Sequence, residues 1–194
     1  MEELNLFSLM YTFFRLSPFI IVSFFALGST LSGEIRGFIY GLGLLFSIVL
    51  IFIILSIFPN NNSLSSSIIC KNVSLNGTIN HIAPLGLAIL SYTFFYLLYP
   101  IVKYKAEGAN ISIIILFPIL LLAEIIWNIK FACFEPTTCV FTLIIAGLSG
   151  IIYASIIDSL KLPRLNYLNL GSNKETCSKP TKQKFKCSTY SPIP

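Results

Sequence analysis

One carboxylate stands inside an otherwise apolar segment of this 194-residue chain. Glu124 lies six residues before Lys130, about 9 Å from the end of a helix that rises 1.5 Å per residue. An acid inside a membrane segment suggests an ion or proton relay by default. Asn128, one helical turn away, and Arg15, at a compatible depth in the first apolar segment, could instead hold the carboxylate structurally. Because Asp158 sits near the opposite face and no second acid shares this level, the sequence favours the structural role.

The sequence offers no pattern for catalysis. Its one histidine, His81, lies at a predicted membrane boundary, and the chain has no HExxH, GxSxG or P-loop motif. Membrane phosphatases of the phosphatidic-acid type need several histidines and are excluded. Cys133 and Cys139 could close a small disulfide, which would leave Cys70 odd, and no further cysteine or histidine pair indicates a metal site. We therefore expect no enzymatic activity, no metal and no cofactor.

The segments that carry these residues are long and apolar. Hydrophobic residues make up 55% of the chain and charged residues 11%, with a mean hydropathy of +0.83, whereas soluble domains are about 25% charged. This predicts an all-α integral membrane protein, a bundle of five transmembrane helices, or four if the first segment does not cross. The predicted spans are residues 16–31, 37–58, 82–101, 111–129 and 139–160, between an N-terminal segment (1–15) and a polar C-terminal tail (161–194).

The first of these spans is the shortest. Pro18 is tolerated there if it falls in the first helical turn. Residues 4–14 could either extend this span or lie along the membrane interface.

Small residues recur every four positions in two of the spans. Such stripes let helix backbones approach closely in lipid, where no hydrophobic force drives helices together. They predict a compact bundle, and one stripe could also serve self-association. The residues are Gly33, Gly37 and Gly41 at the second span, and Ala146, Gly150 and Ala154 in the fifth.

The distribution of charge predicts the orientation. With five spans, three basic residues fall on one side of the membrane and ten on the side of the tail. Because Lys and Arg accumulate on the cytoplasmic face, we expect the tail there. Three glycosylation sequons, at Asn61, Asn72 and Asn76, and the cysteines Cys70, Cys133 and Cys139 fall on the opposite side.

The tail combines positive charge with aromatic residues between two cysteines, in the stretch CSKPTKQKFKC. Its charge suits anionic lipid, an acidic protein surface or nucleic acid, of which we expect nucleic acid least. A bridge between Cys177 and Cys187 would order a basic hook, although cytosolic thiols ordinarily stay reduced. The candidate partner-binding residues are Lys179, Lys182, Lys184, Phe185, Lys186 and Tyr190.

The tail also resembles a known group. The patterns Cys177–Pro180 and Gln183–Ser188, with the hydrophobic layout, look like the C-terminal tails of small multi-span membrane proteins in large double-stranded DNA viruses of eukaryotes, of the algal-virus and giant-virus type. In those viruses, multi-span minor capsid proteins tie an inner lipid membrane to the shell. Their thiol oxidases would explain a disulfide on the cytosolic side. The resemblance implies that Cys177 and Cys187 are bridged and that the basic hook contacts capsid proteins.

Three functions follow as hypotheses. The leading one is a structural protein of a virion inner membrane, derived from a host membrane, that bridges the bilayer and the capsid shell through its loops and tail. The second is a small channel or transporter that uses Glu124. The third is a cellular membrane adaptor whose tail binds anionic lipid.

Overall fold

The computed structural model describes residues 6–33, 35–57, 83–131, 133–160 and 168, with side chains described from residue 13 onward. The sequons, Cys70 and His81 lie outside the described residues. So do the tail cysteines and the candidate partner-binding residues, Cys177, Lys179, Lys182, Lys184, Phe185, Lys186, Cys187 and Tyr190.

The described chain is all-helical, and five of its helices are long and apolar enough to cross a membrane. A short 3-10 turn, Gly108–Asn110, precedes the fourth helix. The predicted all-α bundle of five spans is therefore confirmed. The helices are α1 (Leu6–Ser32), α2 (Arg36–Ile57), α3 (Leu85–Lys103), α4 (Ile111–Lys130) and α5 (Pro136–Ser159).

The first helix begins earlier than the sequence suggests. All other bounds agree with prediction to within three residues, but α1 starts at Leu6 rather than near residue 16. Pro18 therefore lies in the middle of the helix and not in its first turn. A proline there leaves the carbonyl four residues earlier without its amide donor. The Ser17 hydroxyl donates to that carbonyl, Phe14 O, at 2.8 Å, which compensates for the missing bond.

The helix α3 forms the centre of the bundle. Two thirds of its span is buried inside the protein, against about a fifth for α1 and α4. The helix α5 packs along it through the stripe Ala146, Gly150 and Ala154, whose members are all buried. A Cβ on Gly150 would lie 2.6 Å from the Tyr92 carbonyl oxygen, so only glycine permits this approach of α5 to α3.

The three glycines of the stripe at the start of α2 have different surroundings within the described residues. Gly37 is buried against Ser29 of α1, whose hydroxyl accepts its N–H at 3.0 Å. Gly33 instead follows the end of α1 with a φ of +63°, in the left-handed region that favours glycine. Gly41 has no described atom within 4 Å of the position of a Cβ, because successive turns rotate the stripe out of the α1–α2 contact.

Hydroxyl groups connect the inner helices. Tyr40 of α2 and Thr93 of α3 share a hydrogen bond of 2.6 Å. Ser91 of α3 donates to the Leu143 carbonyl of α5 at 2.8 Å. In lipid, such contacts replace the hydrophobic drive that holds soluble bundles together.

The helices alternate in direction, so the polar ends fall into two groups. The Tyr153 hydroxyl, near the end of α5, donates to the Ile39 carbonyl, near the start of α2, at 2.9 Å. Lys103, at the end of α3, contacts Asp158 of α5. We call the end that holds the α1–α2 turn, the α3–α4 connection and the last residues of α5 the tail end of the bundle.

The contrast between two glycines gives a matched test of the packing. We expect Gly150→Ala to lower the free energy of unfolding by about 1–3 kcal/mol, the usual cost of an overpacked core, because the neighbouring atoms are backbone. Gly41→Ala should leave stability unchanged or raise it by up to about 1 kcal/mol through helix propensity. Unfolding in mixed micelles measures both, and equal stability of the two variants would contradict the packing described.

Candidate functional site

Glu124 is held between two helices by charge and hydrogen bonds. It is 2% exposed, and Nη1 of Arg15 lies 2.9 Å from its Oε1 in a salt bridge between α1 and α4. The same nitrogen lies 3.4 Å from Oδ1 of Asn128. Asn128 is fixed in turn, because its amide donates to the Glu124 carbonyl oxygen at 2.8 Å. The structure thus brings together the three residues that the sequence suggested as structural partners.

The helix α3 covers the Glu124 carboxylate on the side away from Arg15. A Cβ on Gly86, in the first turn of α3, would lie 2.6 Å from Oε1 of Glu124 and 3.3 Å from the ring of Pro18. Gly86 therefore allows α1, α3 and α4 to converge on one carboxylate. The Arg15 side chain is 16% exposed and that of Glu124 only 3%, so any access to the pair is from the side of Arg15.

Cysteines near this site do not form the bridge that their spacing suggested. Cys139 is a free thiol, 1% exposed. The predicted Cys133–Cys139 disulfide is therefore wrong. The two cysteines do not pair because Cys139 already belongs to α5 and faces the bundle interior, while Cys133 lies in the connection before that helix.

Metal ligands do not converge within the described ranges. No group of three or more His, Cys, Asp or Glu side chains lies close enough there to hold an ion. In this arrangement, Glu124 can neutralise the charge of Arg15 and link α1 to α4.

A second polar cluster lies at the tail end, and sequence reasoning missed it. Asp158 accepts hydrogen bonds from the Lys103 ammonium and from the Tyr104 hydroxyl, the latter at 2.5 Å. The Tyr99 hydroxyl lies 3.4 Å from Oγ of Ser155, one turn further in. Donation to Asp158 raises the pKa of Tyr104 above its usual value, because the neutral phenol is the form that donates. This clasp ties the end of α3 to the end of α5.

Four tyrosine rings fill the middle of the tail-end half of the bundle. Tyr92 and Tyr96 are stacked, with ring centroids 5.9 Å apart, and Tyr40 lies 5.8 Å and 5.6 Å from them. Tyr153 lies 6.3 Å from Tyr96. The sequence carried a signal for part of this cluster, since Tyr92 and Tyr96 lie one helical turn apart on α3.

Comparison of the chain with protein families, curated proteins and solved structures finds no match. Its function therefore has to be inferred from its own residues.

The salt bridge predicts a large coupling between Arg15 and Glu124. Removing one member of a buried ion pair typically costs about 3–5 kcal/mol, since the other charge is left uncompensated. We therefore expect Glu124→Leu and Arg15→Leu each to destabilise the protein by this order, and the double variant to be more stable than either. A double-mutant cycle of unfolding in mixed micelles measures the coupling. Additive effects would mean that the two charges do not support each other.

The clasp at the tail end predicts a local effect. We expect Asp158→Asn to speed hydrogen exchange several-fold at the amides of Tyr104, Lys105 and Ala106, because the C-terminal turn of α3 loses the negative charge and one of the two acceptor oxygens that hold it to α5. Glu107→Gln is the control, since it removes an exposed acid from the same end. Exchange that stays slow in Asp158→Asn, or quickens equally in both variants, would show that the clasp does not hold the helix end.

Proposed function

We propose that this chain is a structural multi-pass protein of a virion inner membrane, which bridges the lipid membrane and the capsid shell through its loops and basic C-terminal tail. The observation that carries the structural role is the pairing of Glu124 with Arg15. The one carboxylate that could have served transport contributes instead to holding α1 and α4 together.

The surroundings of Glu124 favour a structural contact between helices over a relay for protons or ions. A relay carboxylate exchanges protons or ions with water in at least one state, which requires access. Glu124 is buried, has a guanidinium partner, and is covered by α1 and by α3 at Gly86. An ion that entered would have to displace Arg15 from a low-dielectric site, where an unpaired charge is very costly.

The remainder of the interior supports the same role. The close contact of α3 with α5 at Gly150 and the tyrosine cluster fill the centre of the bundle with packed backbone and rings. A structural anchor requires such a rigid core, because a force applied at its polar ends must not deform it.

The distribution of charge and the resemblance of the tail support the orientation of the protein and its capsid partner. Ten of the thirteen basic residues fall on the side of the tail, which supports a cytosolic tail. Within the described residues, the contact of Lys103 with Asp158 agrees with the helix alternation on which this count depends. The cysteine-bounded pattern of the tail, and its likeness to membrane proteins of large DNA viruses, support a capsid protein as the partner of its lysines.

Ion flux separates the structural role from transport. We expect vesicles that contain the purified protein to conduct protons and potassium no faster than protein-free vesicles, and Glu124→Gln to leave this background unchanged while lowering thermal stability. The measurement uses a pH-sensitive dye and a potassium gradient across the same vesicles. Flux that is abolished by Glu124→Gln would replace the structural proposal with a channel or transporter.

The assignment to a virion is tested in intact particles from the native source of the protein. We expect the protein to copurify with the membrane of intact particles, and lysine cross-linking in those particles to join Lys179, Lys182, Lys184 or Lys186 to a shell protein. Lys71 and Lys130, on the opposite side by the predicted topology, are the internal controls. A protein found in cellular membranes and not in particles would contradict the virion role but not the structural one.

A further inference from the structure

The two described cysteines lie near the same end of the bundle but differ in burial. Cys139, on α5, is 1% exposed and belongs to the buried core. Cys133 is half-buried, in the short connection between α4 and α5. A disulfide brings its two Cα atoms to about 4.4–6.8 Å of each other, so a partner of Cys139 would have to enter the bundle interior. Cys133 is the cysteine that a second segment of the chain can reach from outside.

The backbone on both sides of Cys133 is held to the bundle. The Cys133 N–H donates to the Asn128 carbonyl oxygen at 3.0 Å, which continues the last turn of α4. Phe134, the next residue, packs against the buried core. Because Cys133 is already positioned, a bridge to it costs conformational entropy mainly in the partner segment.

The two tail cysteines lie across the membrane from Cys133. The helix α5 has 24 residues, or about 36 Å of length, which exceeds the ~30 Å hydrocarbon core of a bilayer. Cys133 precedes this helix, whereas Cys177 and Cys187 follow it. To reach Cys133, the polar tail would have to carry lysines and backbone groups without partners through lipid, which is very costly.

The remaining cysteine, Cys70, belongs to the segment that joins α2 to α3. Because the helices alternate in direction, α2 ends and α3 begins at the end of the bundle where Cys133 lies. Cys70 follows the end of α2 at Ile57 by 13 residues and precedes the start of α3 at Leu85 by 15. Even 13 residues span about 43 Å when extended, so the length of the chain allows the two cysteines to meet.

The start of α3 also adjoins the part of α4 that leads to Cys133. A Cβ on Gly86, in the first turn of α3, would lie 2.6 Å from Oε1 of Glu124 on α4. Asn128, whose carbonyl oxygen accepts the Cys133 N–H, is one helical turn after Glu124. The point at which the α2–α3 segment enters the bundle is therefore next to the helix that ends at Cys133.

The predicted orientation places Cys70 and Cys133 on the side away from the cytosol, where disulfides form and persist. Two sequons, at Asn72 and Asn76, lie within six residues of Cys70 and agree with this side. Bridge formation removes two protons and two electrons from the two thiols and joins the sulfurs. A disulfide-bearing oxidant of the lumen, such as oxidised glutathione, accepts them and is reduced to thiols.

From these observations we infer that Cys70 and Cys133 form an intramolecular disulfide at the end of the bundle opposite the tail end. The bridge would enclose α3 and α4 in one covalent ring and would fix the sequon-bearing segment beside the α4–α5 connection. The inference rests on the predicted orientation and on the helix order, and not on the assignment to a virion.

Mass spectrometry of the full-length protein tests the inference. The protein is produced in a eukaryotic secretory membrane, and its thiols are blocked with N-ethylmaleimide in denaturing detergent before any reduction. Glycans are then removed and the chain is digested. We expect one linked pair of peptides, which contain Cys70 and Cys133 and separate on reduction, and complete labelling of Cys139.

Serine variants provide matched controls. We expect Cys70→Ser to abolish the linked pair and to expose Cys133 to labelling, and Cys133→Ser to expose Cys70 in the same way. Cys139→Ser should leave the linked pair unchanged, because that thiol is buried and takes no part. The measurement on the unaltered protein decides the question if a variant does not fold.

Three results would overturn the inference. Complete labelling of Cys133 before reduction would mean that it carries no bridge. A link from Cys133 to Cys139, Cys177 or Cys187 would contradict the argument from burial and helix order. Mixed-isotope linked peptides from coexpressed light and heavy chains would mean that the bridge joins two copies. Copurification with particles tests the virion assignment separately, so the failure of one proposal is distinguishable from the failure of the other.

Discussion

An arginine and a glutamate that face each other inside a membrane fix the depth and rotation of both helices that carry them. If α1 slid along its axis or turned about it, Arg15 and Glu124 would separate in a medium that solvates neither charge. This constraint matters because α1 and α4 are the most lipid-exposed helices of the bundle and have little packing of their own. The centre of the protein is held by close packing, and the ion pair joins the two peripheral helices α1 and α4 to each other.

The other helix interfaces show how polar groups substitute for a hydrophobic force that does not operate between helices in lipid. The α1–α2, α2–α3 and α3–α5 contacts each include a hydrogen bond in which the hydroxyl of a serine, threonine or tyrosine donates or accepts, as at Gly37–Ser29, Tyr40–Thr93 and Ser91–Leu143. Each such bond also satisfies a hydroxyl that could not be left unpaired in hydrocarbon without cost. The sparse polar residues of the spans are therefore concentrated where helices meet.

Length and hydropathy were sufficient to predict the five helices, and depth was sufficient to suggest Arg15 as a partner for Glu124. Rotation about the helix axis could not be predicted in the same way. In a segment that is apolar on all sides, the hydrophobic pattern does not indicate which side of the helix faces the bundle. Gly37 and Gly41 therefore look equivalent in the sequence, although Gly37 packs against α1 and a Cβ on Gly41 would have no described atom within 4 Å. For the same reason the sequence did not show that Cys139 faces the bundle interior, nor that tyrosines from three helices converge.

The clasp at the tail end determines how mechanical load would enter the bundle. Any pull on the chain beyond Leu160 reaches the last turn of α5, where a single helix end would unravel one hydrogen bond at a time. Asp158 bonds Lys103 and Tyr104 across to α3, so tension is shared between two helices before the turn can open. Because α3 is the most buried helix, a load that crosses this contact passes from the end of α5 into the centre of the bundle.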